Sequence, residues 1–371
     1  MNILFVMSDL FYSGAEHQIR NIISAVRSEN HNVFIAKGNI KTTSLTDQDK
    51  TFLAEHHIDE DRVCNLFCLN KGLIKGILSY LNNILPCIRS NRIDVVFVYD
   101  KFGILMTPVF FALGVKVLYS ERNSGEVFQK HWLYRFLFRR LKPILTCNSD
   151  FAKMVMEQAI GLPVKKINNV VDVPQSYDAP KSKEVGTLNI LVSARLSPEK
   201  NQLIVVDAFD SMKIDKKIVV NFAGNVQDES YAALVHEKIE NNSNPNVSYN
   251  FLGYVKDKER LYTSCDCVIL PSLTEGTPNV VLESFARRIP VLASDIPQNK
   301  VLFRNKSFLF DPMDAKSLVA AFGIFLAMEE SQKEQELNAN SAFVRAAFGR
   351  ENVNEYVKLM DGAHIGKYVN T

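Results

Sequence analysis

A chain of 371 residues is longer than one hydrophobic core ordinarily serves, which points to two domains. With 47% hydrophobic and 23% charged residues the composition is globular and excludes extensive disorder. The 43 lysines and arginines stand against 41 acids, and a net charge of +2 excludes a global attraction to nucleic acid.

In chain order, MNILFVMSD opens on an all-apolar run and reaches Asp9 without a basic lead segment, so it reads as a strand and not as a signal peptide. The loop SDLFYSGAEHQ follows, then a helical stretch over 16–27, which makes a β-loop-α opening. HNVFIAK, DVVFVYD and KVLYSE read as further strands, with helices between them, notably over 72–89. Continuous apolar strands alternating with helices predict a parallel sheet covered on both faces. The longest uncharged apolar stretch, 102–115, contains Pro108 and is too short to span a bilayer. His56, His57, Cys64 and Cys68 lie close together in HHIDEDRVCNLFC, but their spacing fits no familiar zinc pattern, and no metal site is expected. Six cysteines (Cys64, Cys68, Cys87, Cys147, Cys265 and Cys267) in a long chain with no export signal predict reduced thiols in a cytoplasmic protein.

The stretch VFQKHWLYRFLFRRLKPIL, residues 127–145, reads as a helix with Lys130, Arg135, Arg139, Arg140 and Lys142 and no acid. Its interleaved Phe128, Trp132, Tyr134, Phe136 and Phe138 suit an anionic membrane interface, and equally suit a helix whose aromatics fill the core. Lys71 and Lys75 are candidates to extend the same surface.

A second β-loop-α opening stands at TLNILVSARLSPEKNQLIVVDAF, followed by strands at KIVVNFAG, VSYNFLGYV, DCVILPS, IPVLASD and SFLFD. The chain thus reads as two doubly wound α/β domains, with the Pro- and Gly-containing segment 173–187 as linker between 1–172 and 188–345. The helical tail 346–371 is expected to pack back on the first domain.

Ligands of such sheets bind at the carboxyl ends of the strands. There, PSLTEGTPNVVLESFA carries two glutamates, Glu275 in a loop and Glu283 inside a helix. Thr277-Pro278 reads as an N-cap with proline at the first helical position. The N–H groups of Asn279, Val280 and Val281 would then be open to a diphosphate, with Glu283 in reach of ribose hydroxyls and Glu275 of an attached sugar. In SARLSPEKN, Arg195 and Lys200 can neutralise the diphosphate as a metal would. Gly253, Tyr254 and Val255 of FLGYV are candidates for holding the base. Taken singly, each residue reads as well as an ordinary surface charge or core aromatic; the combination makes the site.

In combination these residues resemble the retaining glycosyltransferases of family 4, which have the GT-B architecture of two Rossmann-like domains facing across a cleft. The hallmark is the glutamate pair spaced by seven residues. The resemblance implies that Glu275 contacts the donor sugar, Glu283 the ribose, and Arg195 with Lys200 the diphosphate. It also implies donor contacts from Gly276, Thr277, Pro278, Asn279, Val280 and Val281, and from Gly14 in the loop of the first domain. Many members carry a histidine near the reacting sugar; here LYSERNSGE offers Ser120, Glu121, Arg122 and Asn123 on the acceptor side, with a Glu121–Arg122 ion pair as the plain structural alternative. The departing phosphate can itself take the acceptor proton in a front-face substitution, so no general base is required. The implied activity is transfer of a hexose or N-acetylhexosamine from a UDP-sugar, without a metal cofactor, to a glycan acceptor, lipid-linked and belonging to bacterial surface-polysaccharide synthesis, at the cytoplasmic face of the membrane. A nucleotide-sugar epimerase or phosphorylase, or a sugar-nucleotide-binding protein without turnover, are the competing readings.

Overall fold

The computed structural model describes residues 1–7, 14–38, 45, 47–67, 73–174 and 186–362. The chain divides into two compact units, Met1–Val170 with Arg350–Thr371, and Val171–Gly349.

The first unit alternates strands and helices: β1 (Asn2–Met7), α1 (Gly14–Ser28), β2 (Asn32–Gly38), α2 (Asp47–Glu55), β3 (Val63–Phe67), α3 (Leu73–Ser90), β4 (Val95–Val98), α4 (Lys101–Ala112), β5 (Lys116–Glu121), α5 (Val127–Lys130), α6 (Trp132–Leu141), β6 (Ile144–Cys147), α7 (Asp150–Ile160) and β7 (Lys165–Lys166). Its sheet runs β3-β2-β1-β4-β5-β6-β7, with every pair parallel. Because both faces are covered, β1 is apolar from Ile3 to Met7. Ile3, Phe5 and Met7 enter one core while Leu4 and Val6 enter the other, the alternation of a strand.

The second unit follows the same grammar with β8 (Thr187–Ser193), α8 (Leu203–Ser211), β9 (Lys217–Ala223), α9 (Glu229–Glu240), β10 (Val247–Gly253), α10 (Lys258–Thr263), β11 (Cys267–Leu270), α11 (Asn279–Ala286), β12 (Val291–Ser294), α12 (Pro297–Lys300), β13 (Leu309–Phe310), α13 (Ala315–Ala327) and α14 (Glu330–Ala347). Its parallel sheet has the order β10-β9-β8-β11-β12-β13. Numbered from its own first strand, that is 3-2-1-4-5-6, the doubly wound Rossmann order. Winding reverses between β8 and β11, so the loops leaving those two strands flank the crevice where this sheet type takes ligands.

The last helix, α15 (Glu351–Asp361), belongs to the first unit. Val353, Tyr356, Val357, Leu359 and Met360 join the core that holds Ile3 and Phe5. Lys165 pairs with Glu355 at 2.6 Å, and Lys116 Nζ donates to the Met360 carbonyl at 3.0 Å. Gln18 on α1 clamps the last residue of the unit's main segment from both sides. Its Nε2 donates to Val170 O at 2.8 Å, and its Oε1 accepts from Val170 N at 2.7 Å.

Two expectations need correction. The stretch 127–145 is not one helix. His131 is extended (φ −120°, ψ 103°) and separates α5 from α6, Lys142 is left-handed (φ 52°) ahead of Pro143, and Ile144 already starts β6. A proline bars the preceding residue from helical geometry, which fixes the stop. Nor are all the cysteines free, because Cys64 and Cys87 form a disulfide that ties β3 to α3. Cys147, Cys265 and Cys267 are buried and in no disulfide among the described residues, and Cys68 lies outside the described residues. Among the described residues no cluster of three metal-ligating side chains occurs.

One charged contact lies deep in the first unit. Lys37, at the carboxyl end of β2, pairs with Asp49 of α2, and both side chains are almost wholly buried, at 1% and 2% exposed.

Candidate functional site

The second unit gathers its candidate residues on four neighbouring strand ends. After β8 the chain passes Ala194 and Arg195 into a tight 3-10 turn, Pro198–Lys200, and Asn201 closes that turn in the left-handed region (φ 53°). Asparagine tolerates this conformation better than most residues. Buried Gln202 donates through Nε2 to Arg195 O at 2.8 Å, which pins the loop to α8. The Arg195 guanidinium is exposed and has no partner among the described residues.

Backbone contacts lock this loop to its neighbours. Leu273 N donates to Glu199 O at 2.8 Å, which joins the β8 loop to the β11 loop. Gly224, just past β9, donates through N to Gly253 O at 2.8 Å and so reaches the end of β10. On its other side Gly224 lies so close to the β8 loop that an added Cβ would stand 2.1 Å from Ala194 O and 2.9 Å from Arg195 N. Only glycine fits there. Gly224→Ala is therefore expected to push Arg195 outward and to cost about 1–3 kcal/mol, as overpacking does. Chemical denaturation, read beside nucleotide affinity, checks both effects.

Within this frame Lys200 Nζ meets Glu275 Oε1 at 2.7 Å, the side chains being 17% and 12% exposed. The loop cation and the loop carboxylate foreseen at separate strand ends are thus direct partners. Glu275 Oε2 has no hydrogen bond among the described residues and remains able to accept from a hydroxyl. Glu283, on the second turn of α11, is more buried and is held twice. Lys258 Nζ donates to its Oε1 at 2.6 Å, and Tyr262 OH to its Oε2 at 2.7 Å. A carboxylate offers about four lone-pair directions, so two acceptor sites stay open for a pair of hydroxyls. Burial, with Glu283 beside it, holds the Tyr262 phenol well above its ordinary pKa, which keeps it a donor.

The start of α11 differs from the expected cap. Pro278 itself is the N-cap, Asn279 is the first helical residue, and Thr277 precedes the cap. Val281 N already donates to Pro278 O at 3.0 Å, so it is not an open group for an anion; Val280 N has no acceptor among the described residues. Proline at the cap supplies no side-chain oxygen to Val280 N. Gly276 beside it is buried. Gly253 (φ 60°) turns β10 into Tyr254, which is 42% exposed, and Val255, which packs against the core of the unit.

Lys258 and Tyr262 were not singled out in the sequence. A signal existed for Lys258, since a cation in the first turn of a helix opposes the helix dipole and needs a counter-charge. Tyr262 had none, because a buried tyrosine is an ordinary core residue.

In the first unit, Ser120 through Asn123 end β5. Glu121 is not paired with Arg122. It accepts from Tyr119 OH and from Asn123 N, each at 2.8 Å, and burial raises its pKa against the pull of those donors. Arg122 donates instead to Asn169 Oδ1 at 3.2 Å and to Tyr356 OH at 3.0 Å, with its guanidinium over the Tyr356 ring. Ser120 Oγ lies 3.2 Å from the same Tyr356 hydroxyl. Three of the four residues are buried and only Asn123 is exposed, so Asn123 is the member of this group that faces solvent. Gly14 is the exposed first residue of α1; Tyr12 and Ser13 lie outside the described residues.

Comparison with known proteins adds the following. Residues 175–342 match the sequence model of the family described as Glycosyl transferases group 1. A UDP-Gal:alpha-D-GlcNAc-diphosphoundecaprenol alpha-1,3-galactosyltransferase of Escherichia coli is 23% identical over 278 residues, 68% of this chain and 71% of that protein. A Campylobacter jejuni alpha-1,4-N-acetyl-D-galactosaminyltransferase, whose name gives an undecaprenol-linked diNAcBac glycan, is 24% identical over 300 residues, 76% of each chain. Among solved structures, Anabaena Alr3699/HepE in complex with UDP-glucose superposes with a TM-score of 0.79 over 98% of this chain and all of that one, at 19% identity. At that identity the likeness shows the fold, which is GT-B.

Proposed function

We propose that this chain, whose residues 175–342 match the family model of group 1 glycosyltransferases, moves a hexose or N-acetylhexosamine from a UDP-sugar to a lipid-linked glycan acceptor, with retention of configuration, in bacterial surface-polysaccharide synthesis. The observation that carries the reading is the pair of held carboxylates flanking the start of α11, where Val280 N has no acceptor among the described residues. Glu275 sits on Lys200 before α11, and Glu283 sits on Lys258 and Tyr262 within it. A diphosphate at the first turn of α11 places the ribose toward Glu283 and the sugar toward Glu275.

In this arrangement Lys200 and Arg195 supply the positive charge that stabilises the departing UDP, and donor binding needs no divalent cation. The sugar–phosphate bond breaks as the acceptor hydroxyl attacks from the same face, and the departing phosphate oxygen takes the hydroxyl proton. The undecaprenol-linked substrates in the names of the two relatives support an acceptor of this class, and the complex of HepE with UDP-glucose supports the donor class. We place the enzyme at the cytoplasmic face of the membrane, where such acceptors are built.

Calorimetric titration with UDP and GDP, each with and without EDTA, tests the donor half. Saturable binding of UDP that EDTA leaves unchanged is the expected result, and heats that vanish on chelation would overturn the metal-free reading. Glu283→Ala should weaken UDP by about 10–100-fold, the loss of one or two charged hydrogen bonds of about 1.5–3 kcal/mol. Unaltered UDP affinity in that variant would remove Glu283 from the ribose.

A further inference from the structure

The face of α6 turned to solvent stands apart among the described residues of the first unit. At about 100° per residue, Arg139, Trp132, Phe136, Arg140 and Leu133 fall within about 120° of arc, and all five are exposed. Trp132 is 68% exposed, Phe136 56% and Leu133 38%. The opposite side is a true core, where Phe128 and Phe138 are fully buried and ring-packed with Tyr119 at 5.6 and 5.2 Å. The two readings of this stretch therefore divide by face. Phe128 and Phe138 fill the core, while Trp132 and Phe136 have been left outside it.

Charge decides what suits that outer face. Residues 127–145 contain five lysines and arginines and no acid. Lys130 is neutralised by Glu126 at 3.0 Å. Arg135 caps the carbonyls of Phe128 and Gln129, and Arg139 those of Ala159 and Ile160, with their charges kept. The side chains of Arg140 and Lys142 have no ion-pair or hydrogen-bond partner among the described residues. A protein partner would need acidic groups around an apolar centre. A bilayer with anionic headgroups over acyl chains offers the same two layers in the same order, apolar for the rings and negative for the cations that flank them. Lys71 and the side chain of Lys75, which the sequence suggested as an extension of this surface, lie outside the described residues.

We propose that this face of α6 lies in the interface of an anionic bilayer, with Trp132 and Phe136 at the acyl boundary and Arg140 and Lys142 at the headgroups. The proposal deepens the reading of a lipid-linked acceptor and rests on it for its purpose, since docking here brings the first unit to the surface where such an acceptor is held. Its chemistry stands on the α6 surface alone.

Trp132 is the only tryptophan in the chain, so intrinsic fluorescence reports on this site without a label. The intact protein is mixed with vesicles of phosphatidylcholine alone, or of equal parts phosphatidylglycerol and phosphatidylcholine. The expected result is a blue shift with the anionic vesicles only, reversed by high salt and quenched by brominated acyl chains. Arg140→Gln and Lys142→Gln should each weaken partitioning about fivefold, and Phe136→Ser should abolish the quenching. No shift with either vesicle, or an equal shift with both, overturns the proposal. So does emission already blue-shifted without lipid and returning on dilution, which would show a second copy covering the face. Titration with UDP on the same samples separates the readings. Binding of UDP without vesicle binding removes only the membrane face, and vesicle binding without UDP binding removes only the donor site.

Discussion

Glu275→Ala is expected to lower turnover by about 100–1000-fold while leaving UDP affinity within about threefold of the parent, a split that arises from where Glu275 sits. One of its oxygens is taken by Lys200 and the other is open, and it precedes α11, which in the proposed arrangement sets it against the part of the donor beyond the diphosphate. UDP alone lacks that part. A residue that meets only the sugar contributes little to the affinity of the nucleotide and much to the transition state, where charge develops at the sugar carbon. Lys200→Ala should behave differently. In the proposed arrangement it removes a cation from the diphosphate, and it strips Glu275 of its only ion-pair partner among the described residues, so nucleotide affinity and turnover should fall together. Steady-state rates with a fixed acceptor, beside UDP calorimetry, resolve the two patterns. Equal, small effects of Glu275→Ala on both quantities would remove it from the sugar.

The largest loss of stability is expected from Asp49→Ala, at about 3–5 kcal/mol, because it leaves the Lys37 ammonium buried without its counter-charge. A buried pair is costly to break and far less costly to replace whole. Lys37→Met with Asp49→Leu keeps the volume and removes both charges, and should recover most of the loss. Urea denaturation of the parent, Lys37→Met, Asp49→Leu and the double variant closes the cycle, with Asp49→Ala measured beside it. If Asp49→Ala costs less than about 1 kcal/mol, water reaches Lys37 and the pair is not the closed contact that its burial implies.

Much of the fold was legible because both sheets are parallel and covered on two faces. That demands all-apolar strands, and ILFVM, CVIL and VLAS announce β1, β11 and β12 without any periodicity to decipher. The last two strands of the first sheet escaped. β7, at its edge, is two lysines, and β6 was absorbed into the basic helix, since only Lys142 and Pro143 separate them. At the site, Glu275, Glu283, Arg195 and Lys200 could be picked out because each stands on a loop or helix start after a strand. What joins them could not. The tie of Gly224 to Ala194, the bond from Leu273 to Glu199 and the grip of Lys258 on Glu283 link segments 25 to 74 residues apart, and spacing along the chain holds no trace of them. Tyr356 is the plainest case. It stands more than two hundred residues from Ser120 and Arg122, yet holds both.

That reach across the chain sets an order of events during synthesis. Residues 1–170 leave the ribosome first, but the helix that covers one face of their sheet is written after residue 350. Until it emerges, Phe97 and the Arg122 guanidinium lack their contacts with Tyr356, and the second unit, continuous from 171 to 349, can complete itself while the first still waits. The half of the protein made earliest is therefore finished last, and a nascent chain stalled near residue 349 would carry an apolar, chaperone-seeking surface on its oldest part.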